Sequence, residues 1–321
     1  MLRALISDLV DAGADVAALC DDRLEIQSPG TEVRMVGDTD DWESGFEQLA
    51  HAADAVWLVA PETGGVLERL SRCVIGLGRT QLGSKPDAIR VAASKSETAH
   101  TLQRAGVPVV PTFRWHEVPD IAADSWVAKP DDGCGCEATS LFPDARSARD
   151  WIETQTAPEH FALQPYLRGE PLSLSVLASE GRAWLLSVNR QQIAVDDRRF
   201  AFLGSEVGAM ADSEGMFARL SERIAEAIPG LWGYFGIDLI LADSSAVVLE
   251  VNPRLTTSYA GIRSAIGVNP AGLVLRLFQG RELPAIPLPR RSVVVDVQAH
   301  AAQLPALGRR VLDLRGQVQT S

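Results

Sequence analysis

One stretch of the 321-residue sequence limits fold and chemistry more than any other: FGIDLILADSSAVVLEVNPRLTTSY, from Phe235 to Tyr259. Two runs, Phe235–Ala242 and Ala246–Val251, are dense in β-branched and large aliphatic residues and flank the turn-forming triplet Asp243-Ser244-Ser245. Such a pattern folds as a β-hairpin. With a three-residue loop, Asp238 stands opposite Glu250, roughly 4.5–5.5 Å away at Cβ. Asn252 follows two residues later and faces the same side of the sheet. Two carboxylates and an amide oxygen on one face of an apolar hairpin are costly unless a cation neutralises them. A few hard oxygen donors suit Mg²⁺, which shares its shell with substrate phosphates. The plainer reading is a pair of acids solvating an edge strand.

Composition narrows the partners. The formal net charge of −12 repels a phosphate backbone and argues against non-specific nucleic-acid binding. It leaves room for a small phosphate ligand held by a few local Lys and Arg. No apolar run approaches the ~18–20 residues of a membrane span, and no basic region with a signal-like core opens the sequence. Cys20, Cys73, Cys134 and Cys136 complete no zinc-ligand pattern, so a reduced cytoplasmic protein is expected. The five histidines are scattered and support no His-based chemistry.

The chain starts with a helical stripe, Leu2, Leu5, Ile6, Leu9 and Val10, stopped by Gly13. Strands are expected at Asp15–Cys20, Ala55–Ala60 and Val74–Gly76, with a helix over Trp42–His51. Alternation of this kind gives a parallel sheet and a small Rossmann-like lobe. Such a lobe normally begins with a strand, so the start is either truncated or lacks its first strand. Glu62, in Pro61-Glu-Thr-Gly-Gly65, follows a strand at the end where α/β sheets place ligands, although a turn into a helix explains it equally.

From Asp87 the texture becomes helical. Ser94-Lys95-Ser96-Glu97 fits a capping box, and Gly106 ends the helix. Lys95 in a first helical turn opposes the macrodipole, an unusual position. Strand Trp126–Lys129 ends on Lys129 and runs into Asp131-Asp-Gly-Cys-Gly-Cys-Glu137. Gly133 and Gly135 let the backbone approach a ligand and turn N–H groups toward phosphate oxygens. Small side chains in a mobile loop account for Cys134 and Cys136. A helix over Ala145–Gln155 capped by Asp144 precedes strand Phe161–Tyr166. A hairpin pairs Leu172–Ala178 with Arg182–Asn189, and an amphipathic helix covers Glu214–Ile228. Arg254 lies beside the metal face, placed to stabilise negative charge developing on a tetrahedral carbon. Thr256, Thr257 and Ser258 offer hydroxyls to a substrate, while Ser258 also suits the cap of helix Tyr259–Ile266. Helix Asn269–Phe278 and strand Arg291–Gln298 close the readable part.

Lys95, then Lys129 with its glycine-rich loop, then the 166–170 junction, Asp238, and Glu250-Val-Asn-Pro-Arg254 resemble, in that order, the ATP-grasp superfamily. The resemblance covers about residues 95–264. It implies an α/β chain, α+β in its C-terminal part, with an ATP-grasp fold behind the Rossmann-like lobe. The lobes expected are 1–90, 91–167 and 168–321. It implies ATP bound with Mg²⁺ or Mn²⁺, with Lys95 and Lys129 on phosphates and the 131–137 loop closing over them. Leu167 would bond the adenine edge with Gln164 nearby, and Glu170 would hold ribose hydroxyls; independently of the resemblance, Arg190 at a strand end offers a planar, always-charged fork to the transferred phosphate. The resemblance also implies ligation of a small carboxylate to an amine through an acyl-phosphate; a homodimer is the candidate assembly. NPRLTTSYAGIR and APETGG resemble the tyramine–glutamate ligase branch, which serves methanofuran-type cofactor assembly. Another amino-acid or dipeptide ligase, a carboxylate kinase, and a nucleotide-binding regulator without turnover stay open.

Overall fold

The computed structural model describes residues 1–24, 26, 31–117 and 121–297. The chain opens on helix α1 (Leu2–Asp11), followed by β1 (Val16–Asp21), β2 (Thr31–Val36), α2 (Trp42–Ala52), β3 (Ala55–Val56), α3 (Val66–Gly76) and β4 (Thr80–Gln81). β1 pairs with β2 and β3 with β4, both parallel as the alternation requires, in two separate two-stranded ladders. Ala55–Ala60 keeps only two residues in its ladder because its partner β4 is equally short. Val74–Gly76 is the end of a helix rather than a strand. Leu67, Ser71 and Val74 recur at helical spacing and bury one face of α3, and that period outweighs the local β-branching. β2 has no counterpart among the expected strands.

Helices α4 (Pro86–Ala93) and α5 (Lys95–Arg104) lead to β5 (Phe113–Arg114), β6 (Trp126–Pro130), β7 (Ser140–Phe142), α6 (Ala145–Ile152) and β8 (Phe161–Pro165). Then come β9 (Glu170–Ser179), β10 (Arg182–Asp196), β11 (Arg199–Met210), α7 (Met216–Ala227), β12 (Gly233–Ala242) and β13 (Ser245–Asn252). Helices α8 (Tyr259–Ile266) and α9 (Pro270–Phe278) and strand β14 (Val293–Asp296) follow. Gln298 and the tail from Pro305 lie outside the described residues. Ten strands form one sheet, ordered β13-β12-β9-β10-β11-β7-β6-β8-β5, with β14 beside β11. Its long hairpins turn at Glu180-Gly181, Asp197-Arg198 and Asp243-Ser244, where every φ lies between 42° and 79°. Paired left-handed residues are what a two-residue turn needs to match strand twist.

One sheet carries separate cores, and that separation makes the cleft. Ala88 and Ala92 of α4 and Leu102 of α5 pack with Leu174, Val176, Ile237 and Val248 under the large end of the sheet. The chain bridges there in parallel, Val109 to Val248, before crossing to the smaller end. Trp126, Phe142, Ile152 and Phe161 form that end's own core. Among the described residues no helix is long and apolar enough to cross a membrane.

α1 docks on the C-terminal helices instead of the strands beside it in sequence. Leu5 joins Tyr259, Ile262 and Ala271 in one cluster. Buried Asp8 accepts from Tyr259 Oη at 3.1 Å and Arg263 Nη1 at 2.9 Å, and its carbonyl accepts from Asn269 Nδ2 at 2.7 Å. Asp8→Ala leaves the buried Tyr259 hydroxyl unpaired and is expected to cost roughly 1–3 kcal/mol in urea unfolding. Asp11→Ala, which loses an exposed ion pair with the same arginine, is expected to cost well under about 1 kcal/mol.

Candidate active site

The β12–β13 hairpin brings Asp238 opposite Glu250, as the sequence implies, but by another route. The turn has two residues, not three, so Ala242 pairs with Ser245. Continued regularly, that register would set Asp238 against Leu249. A bulge between the Asp238 and Leu239 pairs shifts the ladder by one residue and restores Glu250.

Two ammonium groups converge on Glu250. Lys95 Nζ stands 3.6 Å and Lys129 Nζ 3.7 Å from its Oε2, and both lysines are buried. Lys95 is placed by the start of α5. Ser94 caps that helix by accepting from Glu97 N–H at 3.1 Å, and the Asp131 carboxylate accepts from Ser94 Oγ at 2.6 Å and Ser96 N–H at 2.8 Å. Glu97 does not complete the capping box and pairs with Arg90 instead. Lys95 Nζ also donates to the carbonyls of Gly133 at 2.5 Å and Asp131 at 3.3 Å. Burial lowers the Lys129 pKa, Glu250 opposes that shift, and the charge of Lys95 adds to it. Burial alone would raise Glu250, but Lys95 and Lys129 overcome it and hold the carboxyl below its usual range. Burial and the neighbouring Glu250 push Asp238 the other way. The two acids therefore differ: one is ionised between lysines, the other carries its charge reluctantly.

Asp238 accepts from Gln191 Nε2 at 3.0 Å and Asn252 Nδ2 at 3.2 Å. Asn252 thus turns its nitrogen to Asp238, while its oxygen accepts from Arg254 Nη2 at 3.4 Å. The donor set is oxygen-rich and fits a hard divalent cation through its two carboxylates; Asn252 joins as a ligand only after its amide turns over. Among the described residues no three His, Cys, Asp or Glu side chains gather into a denser metal cluster. Arg254 Nε donates to Glu62 Oε2 at 2.5 Å, with both side chains largely buried, so this ion pair ties the first lobe to the site. Cys136, near the same acids and lysines, is pushed up to about 12 by burial and then Glu250, which makes it a poor nucleophile.

These groups open into a cleft of about 340 Å³ whose walls include Gly133, Gly135, Gln164, Leu167, Thr256, Thr257 and Ser258. A Cβ at Gly133 would lie 2.8 Å from Pro130 Cβ, and Gly135 holds φ 65°, so both positions favour glycine. Gln164 Nε2 donates to Thr112 Oγ1 at 2.6 Å. Ser258 makes no cap bond; its hydroxyl donates to Ser205 Oγ at 3.1 Å.

Three expected residues are not among the cleft walls: Glu62 lines a small cavity behind them and is taken up by Arg254, and Arg190 and Glu170 pair with each other. Arg190 Nε donates to Glu170 Oε1 at 2.6 Å and Arg190 Nη1 to Glu206 Oε2 at 2.9 Å, and neither Arg190 nor Glu170 is among the cleft walls. Strand alternation is the reason: Gln191 beside Arg190, and Pro171 and Ser173 beside Glu170, face the cleft instead. Gln191, Phe200 and Phe202 were legible only from the β10–β11 hairpin, whose period-2 pattern carries Ile193, Phe200 and Phe202 to the same wall.

A family model described as an ATP-grasp domain matches residues 92–258, and one described as a pre ATP-grasp 3 domain matches residues 14–89. The chain belongs to the ATP-grasp family. It is 29% identical over 211 residues, 66% of its length, to the tyramine–L-glutamate ligase of Methanocaldococcus fervens, and spans 62% of that ligase. In fold it matches an ATP-grasp superfamily protein from Archaeoglobus fulgidus at TM-score 0.66 and 21% identity, covering 92% of this chain and 91% of the other. The biotin carboxylase domain of Hydrogenobacter thermophilus 2-oxoglutarate carboxylase, solved with MgADP and bicarbonate, matches at TM-score 0.71 and 16% identity, covering 88% and 69%.

A double-mutant cycle tests the ion pair between the lobes. Glu62→Gln leaves Arg254 largely buried without its counter-charge and is expected to cost roughly 3 kcal/mol in urea unfolding. Glu62→Gln with Arg254→Met is expected to cost clearly less than the sum of the two single changes.

Proposed function

We propose that the protein is an ADP-forming carboxylate–amine ligase that uses ATP as substrate together with Mg²⁺ or Mn²⁺. The observation that carries this reading is the pair of buried lysines sharing one carboxylate oxygen beside a second, reluctant acid. Three cations, Lys95, Lys129 and Arg254, surround this end of the cleft in a chain of net charge −12. Such a cluster is matched to a polyanion bound with a divalent cation, which lets both acids ionise. The favoured substrates are L-glutamate and tyramine, as in methanofuran- or methylofuran-type cofactor assembly, because a relative of that name is 29% identical over 211 residues of this chain.

In this reading ATP lies between lobes 91–167 and 168–321. Phe200, Phe202, Ile193 and Ile240 offer an apolar slot for the base, and the backbone at Leu167 its polar edge. Mg²⁺, when bound, screens the triphosphate and polarises the phosphoryl group. Asp238 and Glu250 would hold it, joined by Asn252 once its amide turned over. Lys95 and Lys129 release Glu250 and pair with phosphate oxygens instead. Thr256 and Thr257 orient the acid, whose carboxylate takes the γ-phosphoryl group to give acyl-phosphate and ADP. An amine then attacks the carbonyl carbon, Arg254 stabilises the oxyanion, and the C–O bond to phosphate breaks, the leaving phosphate taking the proton that the amine loses. The 131–137 loop excludes water from the acyl-phosphate.

ADP release with Mg-ATP, L-glutamate and a panel of amines that includes tyramine, each partner omitted in turn, tests the reading, with products weighed by mass spectrometry. An amide that needs both partners is the expected product. ADP without any amide would contradict it. Lys129→Met and Asp238→Asn are each expected to lower turnover at least about 100-fold, because each removes charge that acts on the transferring phosphoryl group.

A further inference from the structure

Glu62, Thr63 and Gly64 are consecutive in the turn 61–65, and each holds a different part of the cleft. Glu62 binds Arg254. Thr63 Oγ1 donates to the Asp132 carbonyl at 3.0 Å, and Gly64 N–H donates to Asp132 Oδ2 at 2.9 Å. Gly64 and Gly65 sit at φ 64° and 69°, a pair of left-handed residues that most side chains resist. Asp132 immediately precedes Gly133, whose carbonyl accepts from Lys95, and follows Asp131, which caps α5. The root of the glycine-rich loop is therefore fixed from two directions: by α5 with its lysine, and by the first-lobe turn. A small cavity lined by Glu62, Lys95, Asp132, Gly133, Glu250 and Asn252 places that turn directly behind the charge cluster.

We infer that the 61–65 turn couples the acceptor side of the cleft to the glycine-rich loop, with Asp132 as the positioning residue between them. The inference rests on the ligase reading above. A substrate carboxylate that draws Arg254 from Glu62 relaxes the turn, and Thr63 and Gly64 pass that change to Asp132 and the loop root. Phosphoryl transfer is then favoured only when the acid is in place. Without the tether, water takes the acceptor's part: ATP and water give ADP and inorganic phosphate, and no amide forms.

The test uses the full chain with Mg-ATP and the acid–amine pair that it ligates, and measures ADP formed per amide and ADP formed with the acid omitted. Wild type is expected to give a ratio near one and little acid-free ADP. Asp132→Ala is expected to raise acid-free ADP, relative to amide, about fivefold or more. Asp132→Asn, which keeps an acceptor oxygen for Gly64 N–H, is expected to return the ratio toward wild type. An unchanged ratio in Asp132→Ala, with wild type still making amide, would overturn the inference and leave the ligase reading standing. A wild type that neither binds nucleotide nor makes amide would defeat the ligase reading itself, and the inference with it. Should Asp132→Ala lose its thermal transition, Thr63→Val decides in its place: a raised ratio supports the coupling and an unchanged one overturns it.

Discussion

Glu250 is held between two buried ammonium groups, at 3.6 Å and 3.7 Å, and the other features of the cleft depend on that arrangement. Lysines give up much of their hydration on burial, so the site must supply counter-charge, and one carboxylate is shared between two. Bringing them together takes three elements: the first turn of α5, the end of β6, and β13. α5 packs on the large end of the sheet and β6 belongs to the small end, so the charge cluster spans the space between the two cores. The cleft and the charge cluster share this cause.

The first lobe enters the same cluster through Glu62 and Arg254. An ion pair with both partners largely buried seldom adds much net stability, because desolvation offsets attraction. Its value here is positional: Arg254 is held next to Asn252, and through it to Asp238. Glu250, Asp238, Asn252, Arg254 and Glu62 form one chain of polar contacts across the lobes. A change in the charge of any member is felt by the next.

Much of this was legible in the sequence, and the failures have physical reasons. The acidic pair was visible because two apolar runs around a turn leave few registers, yet the right partner came from a two-residue turn plus a bulge, two offsets that cancel. Lys95 was marked by its poor fit to a helix N-terminus, and Lys129 by the glycines after it. Glu170 was chosen by its place just past the 166–170 junction, and Arg190 by its chemical type at a strand end. Which face of a long strand points to the cleft depends on parity, and each lies one residue away from a cleft-facing neighbour. Ser258 looked like a helix cap, but its hydroxyl turns inward to Ser205, a partner 53 residues away that no local pattern shows. In the first lobe the β-branched Val74-Ile75 pair masked the Leu67, Ser71, Val74 period, so α3 was missed, and in β2 Glu32 and Arg34 interrupt the apolar residues of a short strand.

The most direct test of the shared carboxylate is calorimetric titration of a non-hydrolysable ATP analogue into wild type and Glu250→Gln, with and without Mg²⁺. If Glu250 occupies the lysines until a divalent cation claims it, wild type binds the analogue much more tightly with Mg²⁺. Glu250→Gln then binds it comparably with or without the metal, because its lysines are already free for phosphate. The same Mg²⁺ dependence in both proteins would contradict the account.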